Sequence, residues 1–197
     1  PPPFFFLLIF FLFIFLLFSF TQSDIKSKFN EDLNTVIQLT NSNEFSKLLD
    51  FTNPKLFEIA SRDQLIEVME NMISMGMEMN GGIARINYIS DAIFFDDKIY
   101  YKIFYRSNMT FKISGQLLDG LDGMKEYFDS SLAPKAKDVT FDDKTNTFFI
   151  EDLQQIMIAE SSLNSDDWFY TEYDVEDPQQ TQILEHIFPS QVLEKLK

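Results

Sequence analysis

The chain has no cysteine. That excludes disulfides, thiol nucleophiles and the thiolate-bound zinc and iron–sulfur sites. It has a single histidine, His186, the side chain that most readily exchanges a proton near neutral pH. His186 sits in Glu185-His186-Ile187-Phe188, on an expected terminal helix, where it reads as a surface or helix-end residue. No strand carries a histidine to pair with a carboxylate. Basic residues are also scarce: 16 Lys and Arg stand against 31 Asp and Glu, for a formal net charge of −15. That charge repels phosphate backbones, so nucleic acid is excluded as a partner, and it opposes docking on anionic lipid. Its ordinary consequence is solubility; an acidic surface for a basic partner is the alternative. Neither a Gly-x-Ser-x-Gly elbow nor a phosphate-cradling glycine loop occurs.

The first 23 residues lack charge altogether, and Asp24 is the first ionisable side chain. Phe4 to Phe20 is a run of Phe, Leu and Ile broken only by Ser19. An apolar core of about 7–15 residues followed by small residues marks a secretory signal. Ser19 and Thr21 stand three and one positions before a cut placed just ahead of Gln22. A basic start is missing, and the chain opens Pro1-Pro2-Pro3 rather than on Met, as expected of a truncated or misplaced start. The competing reading is a retained anchor, because a spanning helix needs about 17–25 apolar residues. Residues 1–21 are therefore read as a signal peptide or, alternatively, a membrane anchor, and residues 22–197 as one domain, periplasmic or secreted. Membrane contact follows only if Phe4–Phe20 is retained.

What remains divides into a helical half and a strand half. Ile25, Phe29, Leu33, Val36 and Ile37 recur at helical spacing. Asn43 offers a cap for a short helix bearing Phe45, Leu48 and Leu49, and Asn53-Pro54 is a further start signal. Ser61-Arg62-Asp63-Gln64 matches a capping box and precedes an apolar stripe of Leu65, Val68, Met69, Met72 and Ile73. Gly76 and Gly81-Gly82 close this half. Period-two alternation then takes over at Ala84–Tyr88, Ile99–Arg106 and Met109–Ile113. Asp96-Asp97 and Asp142-Asp143 fall between such runs, where turns belong. Strand-like runs continue at Thr147–Glu151, Gln155–Glu160 and Trp168–Tyr173. A helical insertion lies between Gly115 and Pro134, with Leu121, Met124, Lys125 and Phe128 on one side; Ile183–Ile187 and Val192–Leu196 return to helix. The layout is α+β: N-terminal helices packed in a curved, mostly antiparallel sheet, in the manner of an NTF2-like or cystatin-like cone, with C-terminal helices. Tyr100, Phe104, Phe149 and Phe169 make the second sheet face apolar as well, so the insertion, the C-terminal helices or a partner must cover it.

Three blocks carry a resemblance: Asn53-Pro54-Lys55-Leu56-Phe57-Glu58-Ile59 with Arg62-Asp63-Gln64-Leu65-Ile66-Glu67; Asp167-Trp168-Phe169-Tyr170 with Tyr173-Asp174; and Pro189-Ser190-Gln191-Val192-Leu193-Glu194-Lys195-Leu196. As a set they resemble uncharacterised exported proteins of Bacteroidetes-type bacteria. The resemblance implies a periplasmic or secreted domain of cystatin/NTF2-like fold, and it brings no catalytic residues with it.

Candidate chemistry is sparse. Asp96-Asp97, Asp142-Asp143, Asp166-Asp167 and Asp119-Gly120-Leu121-Asp122-Gly123 lack the oxygen spacing of a calcium loop and read as turns. Met69, Met72, Met75, Met77 and Met79 could offer thioethers to copper, but helix packing accounts better for Met69 and Met72. Asn108-Met109-Thr110 is a formal glycosylation sequon. No metal and no cofactor are called for. The best pocket candidates are Arg85, Tyr88, Tyr101, Tyr105, Trp168 and Tyr170, since rings with polar tips suit a small-molecule cavity; the competing account makes them ordinary sheet residues. The leading expectation is a non-enzymatic binding or interaction domain holding a small apolar molecule in its cone or meeting a protein, another copy included, on its sheet. Its alternatives are an NTF2-like enzyme working through carboxylate and tyrosine groups, or a structural envelope protein.

Overall fold

The computed structural model describes residues 24–197; the apolar run, the signal or anchor read in it, and the expected cut before Gln22 lie outside them. The first helix, α1, takes residues 24–41. Phe29 and Leu33, one turn apart, are wholly covered, with Ile25 and Ile37 packed beside them. Asn43 does not cap the next helix. It adopts a left-handed backbone (φ 57) just past α1, a conformation Asn tolerates better than most side chains, and Glu44 becomes the N-cap of α2 (Phe45–Leu48). Asn53 does start a turn of 3-10 helix at Pro54–Glu58, accepting the Lys55 amide at 3.1 Å. The capping box of α3 (Arg62–Met75) is present: Gln64 N–H donates to Ser61 Oγ at 3.3 Å, and Ser61 N–H donates to Gln64 Oε1 at 2.9 Å.

The apolar stripe of α3 is only partly covered: Leu65 and Met69 are half-buried, and Val68, Met72 and Ile73 are exposed. None of its residues is fully buried, and Val68 is 57% exposed. The helix ends at Gly76, whose φ of 114 suits glycine, and a Cβ there would lie 2.0 Å from the Ser114 carbonyl oxygen. Ser114 N–H donates back to the Gly76 carbonyl at 2.8 Å, tying the end of α3 to the start of the insertion.

Among the described residues the sheet has seven antiparallel-paired strands: β1 (Met77–Gly81), β2 (Arg85–Ile89), β3 (Ile93–Phe95), β4 (Lys98–Ile113), β5 (Asp138–Asp142), β6 (Thr147–Ser162) and β7 (Phe169–Glu172). It is curved and does not close. Two strands of 16 residues, β4 and β6, form its spine. Each replaces two shorter runs expected from the alternation. β1, β2 and β3 line up along the far edge of β4, while β5 and β7 share the far edge of β6. The spine is interrupted by a bulge: Ser107 pairs with Leu153 and Met109 with Ile150, so Glu151 and Asp152 oppose Asn108 alone. Asp152 takes φ 54, its N–H donates to Asn108 Oδ1 at 2.9 Å, and its carboxylate accepts from Arg106 at 2.7 Å. An extra residue of this kind bends the strand and shifts its alternation by one, so that Leu153 and Ile150, three positions apart, share a face.

Register assigns the faces. Tyr101, Ile103, Tyr105, Met109, Phe111 and Ile113 share one face of β4. α1 covers the part around Ile103, Ala159 and Tyr170. The insertion, with α4 (Leu121–Tyr127), covers the part around Ile113, Phe148 and Ile150, and Phe128 stacks on Phe148 at 4.1 Å between centroids. Tyr100, Phe104, Phe149 and Phe169 lie on the opposite face, as the alternation requires. There, α5 (Pro178–Ile187) and α6 (Ser190–Leu196) cover Tyr100 and Ile158, while Phe149 stays 46% exposed. The insertion therefore lies on the α1 face, not on the second one. Among the described residues, no helix is long and apolar enough to cross a membrane.

Phe29 is the residue on which the packing of α1 turns. Phe29→Ala is expected to destabilise the protein by about 3–5 kcal/mol, the range for deleting a fully buried phenyl ring, measured by urea unfolding; a loss below about 1 kcal/mol would mean that α1 is not docked on the sheet.

Candidate functional site

The six aromatic and basic residues read as pocket candidates are divided between the two faces. Tyr101, Tyr105, Trp168 and Tyr170 gather under α1. Phe29 meets Trp168 edge-on at 4.9 Å, Tyr101 at 5.6 Å and Tyr170 at 6.1 Å. Such edge-to-face rings fill space, and the region is core. Arg85 and Tyr88 stand on the other face, opposite Arg106 and Phe104. Arg85 is there by plain alternation with Ile86, and a second bulge sends Tyr88 after it: Ile86 pairs with Tyr105 but Tyr88 pairs with Phe104, so Asn87 is the extra residue and Tyr88 is turned away from Ile86. Tyr88 is exposed and packs its ring on Phe104 at 5.6 Å.

Two buried carboxylates bind the elements together. Asp32 on α1 accepts from the Tyr170 hydroxyl at 2.6 Å and from Lys28 Nζ at 2.6 Å. Asp32 and Tyr170 are 4% and 7% exposed. Burial, and then the Asp32 carboxylate beside it, push the Tyr170 phenol well above the ordinary tyrosine range. Glu160 on β6 accepts from Lys98 Nζ and, at 3.1 Å, from the Asn53 amide. Both arrangements are closed: each links a helix or turn to the sheet, and neither Asp32, Tyr170 nor Glu160 lines the cavities described below. Their chemistry is that of satisfied structural pairs.

Open space lies elsewhere. A cavity of about 550 Å³ sits on the α1 face beyond α1, between α3, β1, the insertion and the β4–β6 spine. Met72, Met77, Met109, Phe111, Met124 and Phe128 supply most of its apolar wall. Methionine gives such a wall a soft, adaptable surface. Tyr127 and Gln155 are its hydrogen-bonding side chains, and no charged side chain lines it. Gln155 Oε1 accepts from the buried Ser107 hydroxyl at 3.0 Å, while its amide nitrogen has no partner among the described residues. Gly120 and Gly123 form part of the rim; a Cβ built at either meets no atom within 4 Å. Neither has the positive φ that would call for glycine. The partly covered stripe of α3 runs into this cavity at Met72. The pattern of methionines was legible in the sequence, but the cavity was not, because Met109, Phe111 and Gln155 join Met72 and Met77 only through the strand register.

Another cavity, about 560 Å³, lies between α5 and α6 and is bordered by Glu185, Glu194 and Lys197. His186 faces Glu58 at 3.3 Å on the surface of α5. Asp142 accepts from the Lys144 amide and the Thr145 hydroxyl, both at 2.9 Å, which is turn chemistry. Among the described residues no three His, Asp or Glu side chains gather as metal ligands. No family model matches the chain, and no curated protein matches it.

Removing the Tyr170 hydroxyl leaves Asp32 one donor short. Tyr170→Phe should lower stability by about 1–3 kcal/mol. The wild-type phenol has a raised pKa, so its contribution is complete below about pH 10, where free tyrosine ionises, and is lost as pH rises through the raised value. Urea unfolding as a function of pH should therefore show a shallower alkaline decline in Tyr170→Phe than in the wild type; parallel declines would place the Tyr170 hydroxyl outside the buried pair.

Proposed function

We propose that this protein is an exported, non-enzymatic binding domain that takes a small apolar or amphipathic molecule in the cavity under α4. The observation that carries the reading is an open cavity of about 550 Å³ with an apolar wall, within the size range of small-molecule sites. An enzyme of the NTF2-like type would need a carboxylate and a tyrosine facing that space together, and the wall offers Tyr127 with no carboxylate beside it. The carboxylate–tyrosine pair such an enzyme could use, Asp32 and Tyr170, is closed beneath α1. Export rests on the run Phe4–Phe20. A second reading, docking of a protein or another copy on the uncovered sheet face, is favoured by the exposed rings of Tyr88 and Phe149.

Binding can be read with Nile red, a neutral dye that brightens in apolar surroundings. The wild type should bind it saturably. Gly123→Phe places a ring in the unoccupied rim and removes a helix-weakening glycine, so it should keep thermal stability and weaken dye binding by about tenfold or more. Equal binding by both proteins would put the dye elsewhere and remove the cavity as a site.

A further inference from the structure

We propose that the occupant is a neutral single-chain lipid, an uncharged hydrogen-bond-accepting head on one acyl or alkyl chain, lying along β4 with its head at Gln155. The inference rests on the cavity being a binding site, and four features narrow the ligand. The first is shape. The lining runs from Gln155, which pairs with Tyr105, to Met77, which pairs with Ile113. That stretch of β4 is up to roughly 26 Å long at the usual rise per residue. A space of about 550 Å³ drawn out along such a strand is a trough, and a trough suits a chain better than a fused ring system.

The second feature is polarity. The middle of the trough is walled by Met109, Phe111, Met124 and Phe128. Its hydrogen-bonding side chains are Tyr127, exposed on α4, and Gln155 near the Ser107 end. Because Ser107 already donates to Gln155 Oε1, the geometry leaves the Gln155 amide as a donor. A donor selects an accepting head, such as an ester carbonyl or an alcohol oxygen.

The third feature is charge. No Lys or Arg lines the trough, and the protein carries a formal net charge of −15. A carboxylate or phosphate head would meet no cation there and a repulsive field outside. The fourth is the rim. Gly123 sits inside α4, where glycine weakens a helix relative to alanine, and no backbone angle requires it. With Gly120 it leaves open the wall that side chains would close, which is what a chain entering from the side needs.

The test is competition for bound Nile red by monolauroylglycerol, laurate and cholesterol, using the full chain. Monolauroylglycerol should displace the dye at about tenfold lower concentration than laurate, which differs at the head, and than cholesterol, which differs in shape. Gln155→Met should weaken monolauroylglycerol by about fivefold more than it weakens the dye. Gln155→Glu, which keeps an acceptor for Ser107 and loses the donor, should do the same. Laurate competing equally well would overturn the neutral head, cholesterol competing equally well would overturn the single chain, and an unaltered ratio of lipid to dye affinity in both Gln155 variants would overturn the anchor. Failure of the wild type to bind the dye, or identical dye binding by Gly123→Phe, would instead remove the site itself.

Discussion

The long antiparallel ladder between β4 and β6 is the constraint from which the rest of this protein follows. Two strands of 16 residues paired along nearly their whole length make a platform longer than any one helix of the domain can cover. Each face must be covered in sections, and the covering is uneven. On one face α1 and the insertion lie end to end; on the other, α5 and α6 cover one section and leave Phe149 in solvent. The bulge at Asp152 keeps both halves of the ladder in phase, so that Leu153, Ile150 and Phe148 continue the apolar face begun by Ala159 and Met157.

The two sections of the α1 face are built differently. Under α1, aromatic rings meet edge to face and the buried Asp32 carboxylate finds its donors, which fixes the helix in place and leaves no room. Under the insertion, one stacked pair, Phe128 on Phe148, holds the covering segment, while methionines and two glycines line what is left. A short helix with a glycine inside it is a weak element by propensity. Rigid packing at one end and loose packing at the other is the division expected of a binding domain, whose site is drawn from its less stable parts.

Local signals in the sequence correspond closely to local structure. The capping box at Ser61, the turn start at Asn53-Pro54, both C-terminal helices and the α+β order of elements are all present. What alternation could not reveal is where it breaks. The extra residue Asn87 turns Tyr88 away from Ile86 and so removes it from the pocket candidates under α1. The extra residue Asp152 joins two expected strands into one. The stripe of α3 satisfied every helical criterion, yet periodicity reports only that a face is apolar, not that anything covers it. The cavity was least legible of all, because it depends on residues left out of the wall, Gly120 and Gly123, and on partners more than thirty positions apart such as Met72 and Met109.

Crystals grown with monolauroylglycerol would address the account most directly. Continuous electron density along β4, from Gln155 toward Met77 and beneath α4, is the result expected, with the glycerol ester within hydrogen-bonding distance of the Gln155 amide. A trough closed by α4 and the side chains of Met109 and Met124, with no density in it at saturating lipid, would contradict the claim that this end of the sheet is built to stay open.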